Sequence, residues 1–162
     1  MNEFNKSGDI KYFPISKTDL KDLEEIIVDN NSSDKYFAIY TIINILKISE
    51  NSIGALLGHK EIPDRLSQYD IKSIKLDSNH VAEKYINMHI MNEHVSSLHI
   101  SGFDEAWVRG KFQQIEEFIN DKFDKFNEEQ KLAGKFDAPT KNEKDNKTVI
   151  PATLKNLDEN SN

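Results

Sequence analysis

One apolar stripe near the C-terminus constrains this chain more than any other feature of its sequence. Apolar side chains recur there mainly at intervals of three and four residues: Val108, Phe112, Ile115, Phe118, Ile119, Phe123 and Phe126. That spacing places them on one side of an α-helix of about 25 residues. A helix with one apolar side must be covered, so the sequence predicts that it packs on a sheet or on a partner.

Three segments before this helix alternate apolar and polar residues, which is typical of half-buried strands. Ile74 and Leu76 alternate with Lys75, Ile86, Met88 and Ile90 with Asn87 and His89, and Leu98 and Ile100 with Ser97 and His99. The short connection at 92–94 predicts that the second and third segments form a hairpin. We expect the apolar residues to share one face under the helix. The polar ones, Lys75, Asn87, His89, Ser97 and His99, are expected on a solvated face.

The N-terminal half is less clear. Ser16 begins a capping pattern, and the apolar spacing after it predicts a short amphipathic helix over 17–29. The apolar run 36–48 fits a buried central strand, two strands across a bulge near Asn44, or a buried helix. Residues 53–57 resemble one or two helical turns.

The fold class that these segments predict is α+β. It has a short N-terminal helix, an antiparallel or mixed sheet of four to five strands, and a long C-terminal amphipathic helix on one sheet face. Apolar residues become sparse after Gly134. We therefore expect one globular domain over 1–133 and a disordered polar tail over 134–162. The apolar island of this tail, residues 149–157, is either a frayed end or a peptide that docks on its own domain or on another protein.

Composition excludes several classes of function. The 21 basic and 28 acidic residues give a net charge of −7, which disfavours binding to nucleic acid and to anionic membrane surfaces. The predicted solvated face also lacks the aromatic pattern of RNA-binding sheets. The chain has no cysteine, which excludes disulfides and thiolate metal sites and suits a reducing compartment. Without a long apolar run we expect no signal peptide and no membrane span, hence a cytoplasmic protein.

The histidines are the candidates for metal or acid–base chemistry. If the hairpin pairs Met91 with Val95, His89 lies opposite Ser97 and His99 opposite Asn87, with both imidazoles on one face. No acidic residue alternates with them on either strand, and zinc needs three or four ligands, so we predict no metal and no cofactor. The two histidines are then ordinary solvent-facing residues, and the alternative is a functional pair.

The binding candidates are therefore His89, His99, Asn87 and Ser97, together with Trp107 in the first turn of the long helix. Trp107 is either an aromatic anchor in an interface or a residue of the core.

Standard catalytic motifs are absent from the sequence, including G-x-S-x-G, the phosphate-binding loop and G-x-G-x-x-G. The nearest feature is the strand-to-helix turn at 101–104, where free amides could hold an anion. Asp104 is better explained as the cap of the helix, which fills that position with its own carboxylate.

The block 98–119, LHISGFDEAWVRGKFQQIEEFI, resembles a strand–turn–helix segment of bacterial proteins, and this resemblance implies neither an activity nor a family. We expect a non-catalytic protein-interaction or regulatory domain rather than an enzyme, with a protein partner that could be a second copy of the chain. The alternatives are a small hydrolase or transferase with a cleft near 101–104, and a homo-oligomeric assembly protein.

Overall fold

A computed structural model describes residues 2–29, 35–92 and 95–137 of the chain. The chain divides into two compact units, residues 1–125 and residues 126–162. The first unit holds the sheet and the helices that cover it. Of the second unit, the described part is the last third of the C-terminal helix, where Leu132 is exposed.

The fold is α+β, as predicted. In chain order the elements are β1 (Phe4–Ile10), β2 (Ile15–Ser16), α1 (Lys17–Val28), β3 (Lys35–Ile43), β4 (Leu46–Glu50), α2 (Ile53–Leu57), β5 (Arg65–Leu66), β6 (Tyr69–Leu76), β7 (Ala82–Ile90), β8 (Ser96–Gly102) and α3 (Glu105–Asp137). The large sheet has six strands in the order β1-β8-β7-β6-β3-β4, and all neighbours are antiparallel. β2 and β5 form a separate two-stranded sheet.

Helix α3 packs on the sheet through the predicted stripe. Val108, Phe112, Ile115 and Ile119 are buried. The Phe112 ring lies so close to Gly8 of β1 that a Cβ at Gly8 would come within 3.0 Å of it. The predicted cap is also present, because the backbone N–H of Trp107 donates to Asp104 Oδ1 at 3.3 Å.

The helix is longer than its stripe predicts and ends at Asp137. The residues that follow Phe126 include Glu, Gln, Lys, Leu and Ala, whose high helix propensity favours continuation of the helix. Residues 134–137 of the predicted tail thus belong to α3. The rest of that tail, including the island 149–157, lies outside the described residues, and the domain boundary stays a prediction.

Helix α1 begins where the sequence predicts, with Ser16 Oγ accepting from the backbone N–H of Asp19 at 3.1 Å. Its apolar residues Leu20, Leu23 and Ile27 are buried. Lys111 of α3 reaches its C-terminal end and donates to the carbonyl oxygen of Ile26 at 2.7 Å. The two helices therefore lie side by side on the same face of the sheet.

The apolar run 36–48 forms a hairpin rather than one strand or a helix. β3 and β4 pair from Ile39 opposite Glu50 to Ile43 opposite Leu46, around the two residues Asn44 and Ile45. Asn44 has a φ of 58°, a left-handed conformation that asparagine tolerates better than most residues. The expected irregularity at Asn44 is thus a turn and not a bulge, and it makes β4 an edge strand.

The prediction that Ile74 of β6 faces the helices is wrong. Ile71 lies opposite Met88 and Ser73 opposite Ile86, so these residues face the helices, whereas Ile74 lies opposite Tyr85 on the other face. Tyr69 and Ile71 are buried, and Ile74 is only half-buried. The strand begins before the segment that the sequence suggested, and it carries apolar residues at both parities, so its pattern alone could not select the face.

The predicted position of Lys75 on the solvated face is wrong for the same reason. It lies opposite Lys84, on the face that the helices cover, and not on the solvated face. Leu76 follows a register shift after Lys75 and is only half-buried.

Candidate functional site: the open face of the sheet

The face of the sheet opposite the helices carries the candidate site, and we call it the open face. The strand register arranges it in cross-strand rows: Asn5, Ser101, Tyr85, Ile74 and Tyr36; Ser7, His99, Asn87, Lys72 and Ala38; Asp9, Ser97, His89, Asp70, Tyr40 and Ser49; and Ile42 with Lys47. The helix contacts described above fall on the other face. Of the residues in these rows, only Ser101 is buried.

Four of the five predicted binding residues meet at the centre of the open face. His89 lies opposite Ser97 and Asn87 opposite His99, which is the register that the sequence predicted. Neighbouring positions in such a ladder bring side chains within contact distance.

A carboxylate accompanies the histidines after all. Asp70 on β6 lies opposite His89, and its Oδ1 contacts His89 Nδ1. The prediction that no acidic residue alternates with the histidines holds for β7 and β8, but a third strand supplies one. The contact orients the His89 ring, since an imidazole held by a carboxylate at Nδ1 has its Nε2 directed elsewhere.

His99 is held from two other sides. Ser7 Oγ of β1 lies 2.5 Å from His99 Nδ1. The ring of Tyr85 meets the His99 ring edge to face, with centroids 6.0 Å apart. Both histidines of the open face therefore have hydrogen-bonding partners within the chain.

Aromatic and aliphatic side chains occupy a large part of this surface. Tyr36 is 65% exposed, and Tyr40, Tyr85, Ile74 and Ile42 are half-buried. The expectation of a face without an aromatic pattern is therefore wrong. Tyr36 and Tyr40 belong to the run 36–48, whose apolar residues on both faces predict burial on both faces. The sequence also predicts the wrong face for Ile74 of β6.

The open face is also balanced in charge. Its rows hold two acidic residues, Asp9 and Asp70, and two lysines, Lys47 and Lys72, whereas the whole chain has a net charge of −7. The excess negative charge of the protein therefore lies outside this surface.

Trp107 does not join the other four candidates. It packs on the helix-covered face, where its ring carbons lie 3.4 Å from the position of a Cβ on Gly102, and Lys84 Nζ lies 5.0 Å from the ring centroid. Its buried indole N–H has no hydrogen-bond partner among the described residues. The position of Trp107 agrees with the packing alternative rather than with an anchor on the open face.

A cavity of about 390 Å³ lies beside the strand-to-helix turn. It is lined by Phe4, Asn5, Lys6, Glu105, Val108 and Arg109. The lining contains no histidine, and Arg109 pairs with Glu105 at 3.0 Å. None of the residues 101–104 lines this cavity, and it does not bring together the histidine and carboxylate that a hydrolase of the expected kind needs.

The remaining histidines give no second cluster. His59 Nε2 lies 2.6 Å from Glu50 Oε2, and His80 is exposed in the turn between β6 and β7. His94 lies outside the described residues. Within the described ranges, no three His, Asp or Glu residues lie close enough together to hold a metal ion.

Sequence reasoning missed Asp70, Tyr85 and the whole of β1, which supplies Ser7. The seven residues of β1 are mostly polar and exposed, because an edge strand with few buried positions carries no alternating signal. Tyr85 could have been found, since it continues the odd positions of β7 that hold Asn87 and His89.

Comparison with known proteins finds no family model, no curated protein and no solved structure that matches this chain. Within the described residues, each helix is too short or too polar to cross a membrane.

Proposed function

We propose that this chain is a non-catalytic protein-interaction domain that binds a protein partner through the open face. One observation carries the proposal: helices cover one face of the six-stranded sheet, while the other face presents tyrosines among paired polar groups. Antiparallel sheets often leave one face in water, but that face is then mainly polar. Tyrosine combines a large apolar ring with a hydroxyl group, and it is enriched where proteins bind one another.

The hydrogen bonding of the polar groups supports the same proposal. Asp70 contacts His89, and Ser7 contacts His99, so a partner that covers these groups need not supply their hydrogen bonds. Burial of unpaired polar groups would cost roughly 1 to 3 kcal/mol each. At these two contacts the open face avoids that cost.

A second candidate, a small hydrolase or transferase, rests on the contact between Asp70 and His89. A carboxylate that orients an imidazole is a recurring part of general base catalysis, and Ser97 lies opposite that histidine. The group lies on a sheet face rather than in the cavity, whose lining lacks histidine. We therefore prefer the non-catalytic proposal. Loss of a turnover activity in a His89→Ala chain would contradict it.

The proposal includes a regulatory role in a reducing, cytoplasmic setting. The absence of cysteine suits such a setting. The negative net charge makes nucleic acid an unsuitable partner.

Affinity measurements on the full chain test the proposed function. Immobilised wild-type chain captures proteins from the source cell, the bound protein is identified by mass spectrometry, and its affinity is measured with the purified partner. Tyr36→Lys places a charge on the most exposed tyrosine of the open face and should weaken binding at least ~30-fold, the change that a ~2 kcal/mol hot spot gives. Ala106→Lys adds the same charge on an exposed position of α3 and should leave affinity unchanged. Equal binding by both variants, or the absence of any protein partner, contradicts the proposal.

A further inference from the structure

We infer that the partner of the open face is a second copy of this chain, with the two open faces packed against each other about a two-fold axis. This inference rests on the proposed function and names its partner. Three features of the open face support it: its area, its charge balance and the placement of its residues about the midline of the sheet.

The area is close to what one partner gives to a stable dimer. The four rows hold 18 residues, and at ~4.8 Å between strands and ~6.8 Å between rows they give an open face of about 600 Å². A standard interface takes about 800 Å² from each partner. The open face can therefore form most of a dimer interface without a contribution from the helices.

The charge balance favours self-association at this surface. Two copies of a chain with a net charge of −7 repel each other over most of their surfaces. The open face combines Asp9 and Asp70 with Lys47 and Lys72, so two such faces meet without net repulsion. A two-fold interface must be complementary to itself, and a surface that carries both signs of charge can meet this condition.

The residues on the two halves of the sheet also complement each other. The midline of the six strands runs between β7 and β6. A two-fold axis along this midline places β7 of one copy over β6 of the other. In this arrangement His89 of one copy faces Asp70 of the other, and Tyr85 faces Ile74, because each pair shares a cross-strand row.

The centre of this interface would hold two histidines and two aspartates. Each His89 already contacts Asp70 of its own chain, and the second copy adds a further carboxylate within reach of the same ring. Two rows away, Tyr85, Ile74 and Tyr36 form the part of the interface that excludes water. The open face thus has the polar centre and the aromatic anchors that fix one orientation of two copies.

Sedimentation equilibrium of the full chain tests the inference, over concentrations from ~1 μM to ~1 mM. The wild-type chain should approach twice the mass of one chain, with the equilibrium depending on concentration. Tyr85→Lys and Tyr36→Lys should each raise the dimer dissociation constant by at least ~30-fold. Ala106→Lys, on the exposed side of α3, should leave it unchanged. Circular dichroism of each variant checks that it remains folded, and Tyr36→Lys alters a side chain that is already exposed.

A wild-type chain that stays a monomer at the highest concentration overturns the inference. A dimer that both open-face variants retain also overturns it, since another surface then forms the contact. Neither result by itself removes the proposed function. A monomeric chain that binds another protein and loses that binding with Tyr36→Lys would keep the open face as the interaction surface and exclude only the second copy.

Discussion

Lys111 shows how a single buried charge fixes the two long helices on the covered face. Its side chain is 5% exposed, and Nζ donates to the carbonyl oxygen of Ile26 at 2.7 Å, to Asp29 Oδ1 at 2.7 Å and to Gln114 Oε1 at 3.1 Å. The last turn of α1 leaves carbonyl oxygens without partners in the helix, and the ammonium group satisfies one of them. The buried lysine is therefore a structural group that is not available for chemistry.

Lys111→Met keeps most of the aliphatic stem but removes the ammonium group. We expect the free energy of unfolding to fall by roughly 2 to 3 kcal/mol, because the Ile26 carbonyl oxygen loses its partner. Lys125→Met on the same helix is the matched control. Lys125 is 60% exposed and pairs with Asp121 at 3.7 Å, so its loss should cost less than about 1 kcal/mol. Urea denaturation measures both, and equal effects would contradict the assigned role.

Tyr69 makes the stability of the fold fall at alkaline pH. Burial raises the pKa of Tyr69 well above its usual value of 10.0, and the nearby Tyr12 raises it further. In the unfolded chain this hydroxyl ionises near pH 10, so its contribution to stability is complete below that pH and is lost as pH rises above it. Tyr69→Phe should therefore lose less stability than the wild type between pH 9 and 11, by up to about 1.4 kcal/mol per pH unit above 10. Urea midpoints at each pH measure this. A Tyr69→Phe chain that loses stability with pH as steeply as the wild type would contradict this role.

The candidate site illustrates what a single sequence reveals about individual residues. The pairings of His89 with Ser97 and of His99 with Asn87 could be predicted, because a short hairpin fixes its own register. Asp70 could not be predicted as a neighbour of His89. It belongs to β6, and the sequence does not show which residues of that strand face the helices. Contacts within a hairpin are local in sequence, whereas contacts between hairpins depend on a strand order that the sequence does not specify.

At the scale of elements, α3 and the sheet depend on each other. Phe112 lies at the centre of the stripe, is 4% exposed, and packs its ring against Gly8 with Lys6 Nζ 4.9 Å from the ring centroid. Phe112→Ala should lower the free energy of unfolding by roughly 3 to 5 kcal/mol through lost burial and the cavity it leaves. Phe118→Ala, at a half-buried position of the same helix, should cost distinctly less. Thermal and urea melts compare them, and a Phe112→Ala chain as stable as the wild type would mean that the stripe does not pack on the sheet.

Elements differ in how clearly their sequence patterns predict them. α3 and the hairpin of β7 and β8 carry long periodic patterns, since one side of each is buried and the other is wet. β1 lies at an edge and buries few residues, so it carries no clear pattern. β3 and β4 together form one apolar run, so the sequence left one strand, two strands and a helix open. Prediction succeeded where burial is one-sided over many residues and failed where it is brief or two-sided.

At the scale of the molecule, the two faces of the sheet differ in burial and in the kinds of side chain they carry. The covered face holds the core and both helices, and substitutions there should act on stability. The open face holds charged and aromatic side chains and two histidines that have partners within the chain, and we expect substitutions there to act on binding. This asymmetry is the central claim, because both the proposed function and the inferred dimer depend on a free open face.

Thiol labelling tests that claim most directly, because the natural chain has no cysteine. Asn87→Cys and Met88→Cys place single thiols on adjacent residues of β7, the first on the open face and the second at a fully buried position of the covered face. In dilute solution the thiol at 87 should react with a small maleimide at least ~100-fold faster than the thiol at 88, since the latter reacts only after local opening. Association with a second copy or with a purified partner should then slow the reaction at 87 at least ~10-fold. A thiol at 87 that is already unreactive in the dilute chain, or that reacts as fast in the complex as in the free chain, would contradict the account.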